Sequence, residues 1–398
     1  MGTIIEYAET NMETFERKPF NAVDSLVLSQ FCGVRLEVAG KDERPYSRTG
    51  RVRQMLLDKL DRGRQKRPQG TMFGELLRAE RFPEMFEGFV TARPEEMKRL
   101  MCALAASPRF RDMRIVRYET VLNEEDPTQF AALSFVYGEK FAYIGFRGTD
   151  NSIIGWREDF DMGWRYPVPS QMLALDYIRS ASAQLPEKLI IGGHSKGGNL
   201  AVFAAMRCDA SIRNRIEKVY NHDGPGFKQG ALSAYDVEKV NILVDKTIPQ
   251  ESIVGMLLED PSRTRIIRSI AKGIGQHSAF TWEVNSAGTD FVLEQELAPS
   301  SVIFRDALSE WVSNYDDEEL LVFVDALFEA FEAGGIRNAR ELLSEDAIPV
   351  ARAMKIALSC PDVSKSVLRD AASRYIKAIT KRLMDVKEMG RSQNGQGD

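Results

Sequence analysis

At 398 residues, 43% of them hydrophobic and 28% charged, the chain has the composition of an ordinary globular protein with material for a large core. Its net charge of -5 offers no general attraction to nucleic acid, and no apolar run approaches the roughly 18 to 20 residues of a membrane helix. Cys32, Cys102, Cys208 and Cys360 lie far apart with no CxxC pair, which argues against a zinc ribbon and a disulfide scaffold and, with a start that lacks the basic-then-apolar signal pattern, fits the cytoplasm.

Residues 1 to about 40 hold "DSLVLSQFCGVRLEV", an apolar segment suited to packing against a larger core. From about 45 to 107 the chain is charged and helix-favouring, and Pro68, Gly70, Pro83 and Pro94 break it into short helices that cap or flank a site. The basic stretch from Arg51 to Arg67 contains Asp58, Asp61 and interleaved apolar residues, the pattern of a solvated helix face and not of a phosphate-binding patch.

The character then changes. "MRIVRYETVL" (113–122), "QFAALSFVYG" (129–138) and "KFAYIGFRG" (140–148) read as three strands, the last two a hairpin across Gly138-Glu139. A helix over 168–185, the strand "KLIIGG", a helix from Lys196, and the strands "KVYNH" and "KVNILVDKTIP" follow. Alternating strands and helices, the strands nearly continuous in apolar residues, predict an α/β fold with a mostly parallel sheet covered by helices.

Beyond 300 the pattern is helical. "EELLVFVDALFEAFEAGG" stops at Gly334-Gly335 as a helix C-terminus does, and Val367, Leu368, Ala371, Tyr375, Ile376, Ile379 and Leu383 form one apolar stripe. The expected organisation is a domain over 1–299, a helical region over 300–387 that packs on it or on a partner, self-association included, and a disordered tail over 388–398.

"LIIGGHSKGGNLAVFAA" (189–205) carries the chemistry. Gly193, Ser195 and Gly197 satisfy GxSxG, and an apolar strand before them with a helix after them is the setting that lifts a serine to the tip of a sheet. The free N–H groups of the helix start stabilise charge developing beside that serine. A serine hydroxyl needs a base, and the chain has three histidines. His194 adjoins the serine within the turn, and His222 ends a strand. His277, in the loop "IGQHSAFTW", is the expected base: it follows the candidate acids Asp223, Asp245 and Glu251, in the order Ser, acid, His.

"GHSKGGNLA", with "GFRGTDNSIIGWREDF" upstream and "DGPGF" downstream, resembles the Mbeg1-like family of bacterial α/β-hydrolases, over roughly residues 20 to 285. The helical region after 300 lies outside that resemblance. The layout is also similar to class 3 lipases, which pair an FRGT-like turn with a GHSLGG elbow; Lys196 stands where they have leucine, so lipid specificity does not transfer.

In "FRGTD" the turn after a strand brings the N–H of Thr149 beside that of Lys196, two donors for an oxyanion hole; the alternative is an ordinary strand-to-loop turn with Arg147 paired to Glu158 or Asp159 as scaffold. For the acid, Asp223 leaves a strand into the rigid turn "DGPG", at the sheet edge where ligands of open α/β sheets bind. Asp245 and Glu251 are the alternatives. By the lipase resemblance the acid belongs in "PQESIVGMLL", where Ser252 stands instead. The expectation is a serine acyl hydrolase, acting on an ester-like or lipid-like substrate through Ser195, His277 and Asp223, without cofactor or metal. The alternative is a non-catalytic binding or scaffold protein that keeps the fold. Apolar residues of "SIVGMLLE" and "RIIRSIAKGI" either line an acyl pocket or pack in the core.

Overall fold

Among the described residues nine strands form one sheet in sequence order: β1 (Thr71–Met72), β2 (Arg114–Asn123), β3 (Thr128–Tyr137), β4 (Phe141–Phe146), β5 (Leu189–His194), β6 (Ile216–His222), β7 (Val244–Pro249), β8 (Thr264–Ile267) and β9 (Leu293–Glu294). The computed structural model describes residues 2–39, 70–338 and 365–394. The basic stretch from Arg51 to Arg67, the first part of the region read as a cap, and residues 395–398 of the tail lie outside them. Strands β1 to β4 are antiparallel neighbours, β4 to β8 run parallel, and β9 returns antiparallel to β8. The sheet is thus mixed, with a parallel centre, and the architecture is an α/β-hydrolase fold.

Every residue of β3, β4 and β5 is buried, because helices cover both faces and neither set of side chains meets water. The two faces separate with the period of two that a pleated strand imposes. Phe141, Tyr143 and Ile190 join the core beneath α1 (Ile4–Thr10), α2 (Ala22–Phe31) and α3 (Pro94–Ala106). Ala142, Ile144, Phe146, Leu189 and Ile191 join the opposite core, beneath α5 (Pro169–Ser182) and α6 (Lys196–Arg207). The expected β3–β4 hairpin forms, with Gly138 in the left-handed region at φ 56°.

The strand expected over "KVNILVDKTIP" begins later, at Val244, because its first residues end a helix, α7 (Ala234–Asn241). Ser233 and Asp236 exchange hydrogen bonds at the start of that helix, an S-x-x-D capping signal that the apolar run concealed.

The C-terminal helices α8 (Pro299–Ser313), α9 (Asp317–Ala333) and α10 (Lys365–Asn394) build a third core from Phe304, Trp311, Phe323, Leu327, Leu368 and Tyr375. It packs on α4 (Ile153–Asp161) through Trp156 and Phe160. Arg157 of α4 reaches Asp325 of α9 at 2.5 Å, and the Phe160 and Phe328 rings meet edge to face. Of the stripe expected on α10, Leu368, Ala371 and Tyr375 are buried, whereas Ile376 and Leu383 are exposed. The reason for Ile376 is geometric: it follows Tyr375 directly, so it points about 100° away around a helix of 3.6 residues per turn. The backbone of α10 runs to Asn394, so the helix extends into the stretch read as disordered tail. Its Lys, Arg, Met and Glu residues are good helix formers, which composition alone does not separate from a solvated coil.

Candidate active site

Strand β5 delivers Ser195 to the end of the sheet, and the turn into α6 is sharp enough to force the serine to φ 57° and ψ -133°. A non-glycine residue adopts this conformation only when its surroundings hold it there. Two glycines make the turn possible by close approach. A Cβ at Gly193 would lie 2.2 Å from the carbonyl of Gly197, and one at Gly197 would lie 2.1 Å from the Phe146 carbonyl oxygen. The Ser195 N–H is held by the carbonyl of His222 at 2.9 Å.

The structure brings the three predicted side chains together. Ser195 Oγ is 3.0 Å from His277 Nε2, and His277 Nδ1 is 2.6 Å from Asp223 Oδ2. The geometry assigns the donors: Nδ1–H donates to the carboxylate, and Nε2 accepts from the serine hydroxyl. Asp223 is completely buried and its own φ is 51°. Its second oxygen accepts from Ser252 Oγ at 2.5 Å and from the Gly255 N–H at 3.1 Å. Burial alone raises its pKa, but the hydrogen bond and charge of His277, with the Ser252 hydroxyl, outweigh it and hold the carboxyl below its usual range.

The alternative acids lie elsewhere. Asp245 is engaged by Arg265 at 2.9 Å, and Glu251 accepts from the Gly273 N–H while its own N–H donates to Gln276. Glu251 therefore shapes the loop that leads to His277. Ser252, in the place where the lipase resemblance puts an acid, supports Asp223.

His194 and the pair Glu158 and Asp159 support this arrangement in ways the sequence reading missed. Burial, followed by the neighbouring His277, pushes the His194 pKa down to about 3, so its ring is neutral. His194 Nε2 lies 2.9 Å from the backbone carbonyl of His277, an acceptor only, so Nε2 carries the proton and tethers that loop. Asn199, one turn into α6, donates to the carbonyls of Pro225 and Gly226 and so clamps "DGPGF" beside the elbow.

The turn after β4 runs against the elbow: a Cβ at Gly148 would lie 2.7 Å from the His194 carbonyl oxygen and 3.2 Å from Ser195 Cβ. Thr149 and Lys196, the expected oxyanion donors, border the same cavity as Ser195 and His277. Lys196 opens α6, where a backbone N–H has no acceptor within its own helix. The Thr149 hydroxyl donates to Asp159 Oδ2 at 2.6 Å.

The pairing of Arg147 with Glu158 or Asp159, which belonged to the ordinary-turn alternative, is not what forms. Arg147 reaches Asp150 at 3.4 Å, whereas Lys196 Nζ takes Glu158 at 2.9 Å and approaches Asp159 at 3.6 Å. Burial works against charge on Lys196, but Glu158 and then Asp159 hold its pKa above the usual lysine value. Burial pushes Asp159 up to about 6 despite the nearby ammonium.

The cavity has a volume of about 1080 Å³, at the upper end of the usual range for small-molecule sites. Ile253, Val254, Met256 and Leu257 of "SIVGMLLE" line it, while from "RIIRSIAKGI" Ile274 does. Arg35, Glu37, Glu87 and Arg147 give another part of the wall a polar character.

The chain matches the Mbeg1-like family over residues 104–329, more than half its length. It belongs to the Mbeg1-like family. The Mbeg1-like region begins later and ends later than the resemblance over 20 to 285 suggested: it takes in α8 and most of α9, which had been placed outside it. No curated protein matches the chain. Two lipases are among the solved structures similar to it. The Rhizomucor miehei lipase propeptide complex overlaps 49% of this chain and 66% of the other at 18% identity and a TM-score of 0.32. M37 lipase overlaps 58% of this chain and 68% of the other at 13% identity and a TM-score of 0.32. This Mbeg1-like chain thus spans just under two thirds of the first lipase. Among the described residues no helix is long and apolar enough to cross a membrane.

Proposed function

We propose that this Mbeg1-like protein is a serine acyl hydrolase. The supporting observation is the continuous hydrogen-bonded line from Ser195 Oγ through His277 to buried Asp223, with the serine held in a strained elbow. In this reading His277 Nε2 takes the hydroxyl proton as Ser195 Oγ bonds to an ester carbonyl carbon. The carbonyl oxygen becomes negative and is held by the N–H groups of Thr149 and Lys196, each such donor being worth about 3 kcal/mol of barrier. Collapse breaks the bond to the alcohol, which leaves with the proton from His277. Water then attacks the acyl-serine by the same route and releases a carboxylic acid. Asp223 fixes the His277 tautomer and stabilises the imidazolium throughout.

A fluorophosphonate probe tests the reading, because covalent capture requires an activated serine. Labelling is expected in the full chain, with the modified peptide containing Ser195, and loss of labelling in Ser195→Ala and His277→Ala. Undiminished labelling of Ser195→Ala, or none of the folded wild type, overturns it.

A further inference from the structure

The C-terminal helices do more than cover the hydrolase core. Leu308, Trp311 and Val312 of α8 and Phe323 of α9 border the same cavity that holds Ser195 and His277. Trp156 and Phe160 of α4 complete that side. Leu308, Val312, Trp156 and Phe160 belong to the third hydrophobic core yet remain only partly buried, so apolar wall is left facing an unfilled space. In a well-packed interior such surface is covered, because unfilled apolar cavities cost stability.

The helices are held in place on the catalytic side of the molecule. Three consecutive residues of α4 each bind a different element: Arg157 binds Asp325 of α9, Glu158 binds Lys196 at the elbow, and Asp159 binds Thr149. Lys228, in the loop after "DGPGF", adds an ion pair to Asp317 at the start of α9. The apolar wall is therefore fixed relative to Ser195 through the element that also braces the expected oxyanion donors.

We infer that α8 and α9 form the substrate-selecting wall of the site, and that the group they receive is the unbranched apolar acyl chain of an ester. This rests on the serine hydrolase reading. The assignment of the chain to the acyl side follows from the order of events. The acyl group stays attached to Ser195 until water arrives, so it is the part that gains from an apolar wall. The alcohol must leave and water must enter, which suits the polar part of the wall around Arg35, Glu37, Glu87 and Arg147. Burial of each methylene is worth about a fourfold gain in affinity, so chain length is read out directly.

Two measurements on the full chain test this. The first is kcat/KM for p-nitrophenyl acetate and p-nitrophenyl octanoate. Octanoate is expected to exceed acetate by at least about 100-fold, and Leu308→Trp, which fills the space against that wall, to lower the octanoate-to-acetate ratio by at least about tenfold. Val312→Phe, one turn along the same face of α8, is the second variant should Leu308→Trp fail to fold. The second measurement is calorimetric titration of Ser195→Ala with dodecanoate, which needs no catalysis: saturable binding is expected, weakened at least about tenfold by Leu308→Trp or Val312→Phe. Equal turnover of the two esters by an active enzyme, or an unchanged ratio in the folded variants, overturns the wall. Absence of dodecanoate binding overturns it too. Absence of fluorophosphonate labelling in the folded wild type, with dodecanoate binding intact, overturns the hydrolase reading alone.

Discussion

Lys196 Nζ lies 2.9 Å from Glu158 Oε2, and both side chains are shut away from solvent. Glu158 also accepts from the backbone N–H groups of Gln129 and Ser170, so this one carboxylate joins the elbow helix, β3, α4 and the start of α5. Removing one partner of a buried ion pair leaves the other charge uncompensated, which typically costs about 3 to 5 kcal/mol. Lys196→Met is expected to lower the unfolding free energy by about that much in urea. Adding Glu158→Gln should recover part of the loss, since the stranded charge is then gone. Equal stability of the single and double variants would show that the ion pair is not what holds these elements.

Asp159 predicts a pH dependence of stability. Its carboxyl is pushed up to about 6 in the folded protein, so the folded state binds the proton more tightly than the unfolded chain, where an aspartate titrates near 3.9. The sign follows from linkage: this contribution is fully present below the unfolded value and is lost as pH rises through about 6. A third of the side chain remains exposed, and solvent screening reduces the effect to about 1 kcal/mol. The stability of the wild type relative to Asp159→Asn is therefore expected to fall by about 1 kcal/mol between pH 4 and pH 7 and to level off above. A flat or rising difference in urea titrations across that window would contradict it.

Asp223→Asn keeps the shape of the side chain but removes the negative charge that orients His277, a change that costs about 10⁴ in turnover in the serine-protease example. A folded variant with hydrolysis reduced by roughly three to four orders of magnitude is expected. Ser252→Ala removes one of the two donors to the other carboxylate oxygen and should cost far less, about tenfold or under. If Asp223→Asn turns over normally while Asp245→Asn or Glu251→Gln is inactive, the acid lies later in the chain.

The elements that meet at Ser195 were legible because each carries a local signal. An apolar run, a glycine-flanked serine and a helix opening define the elbow, and the order of serine, carboxylate and histidine restricts the choice of base. Asp223 was legible as a carboxylate in a proline turn at a strand end. The pairing of Lys196 with Glu158 was not, because it joins a helix N-terminus to another helix across the sheet edge, and neither the GxSxG spacing nor the FRGTD turn encodes which cation meets which acid. The contribution of α8 and α9 to the cavity was hidden for the same reason. Their apolar stripes announce that a face is buried, whereas the surface that receives it is decided by tertiary docking on α4. At "KVNILV" the deciding signal lay upstream, in the Ser233–Asp236 cap of a helix that ends at Asn241, just before the strand that starts at Val244.

Gly255 offers the most local test of the acid's geometry. A Cβ there would lie 2.2 Å from Asp223 Oδ1 and 2.6 Å from Ile248 Cγ2, both far inside van der Waals contact. The Gly255 N–H donates to that same carboxylate oxygen, so the substitution keeps the hydrogen-bond donor and displaces its acceptor. Overpacking of this kind costs about 1 to 3 kcal/mol of stability, and a displacement of about 1 Å in a catalytic array costs about 100-fold in rate. Gly255→Ala is therefore expected to remain folded at 20 °C, to lose about 100-fold in kcat on a soluble ester, and to keep KM within about threefold. Gly275→Ala is the matched control near His277: its nearest neighbour would be Ala271 Cβ at 3.6 Å, an ordinary contact, so its kinetics should stay within about twofold of the wild type. Wild-type kcat in a folded Gly255→Ala would mean that the position of the Asp223 carboxylate does not govern the reaction.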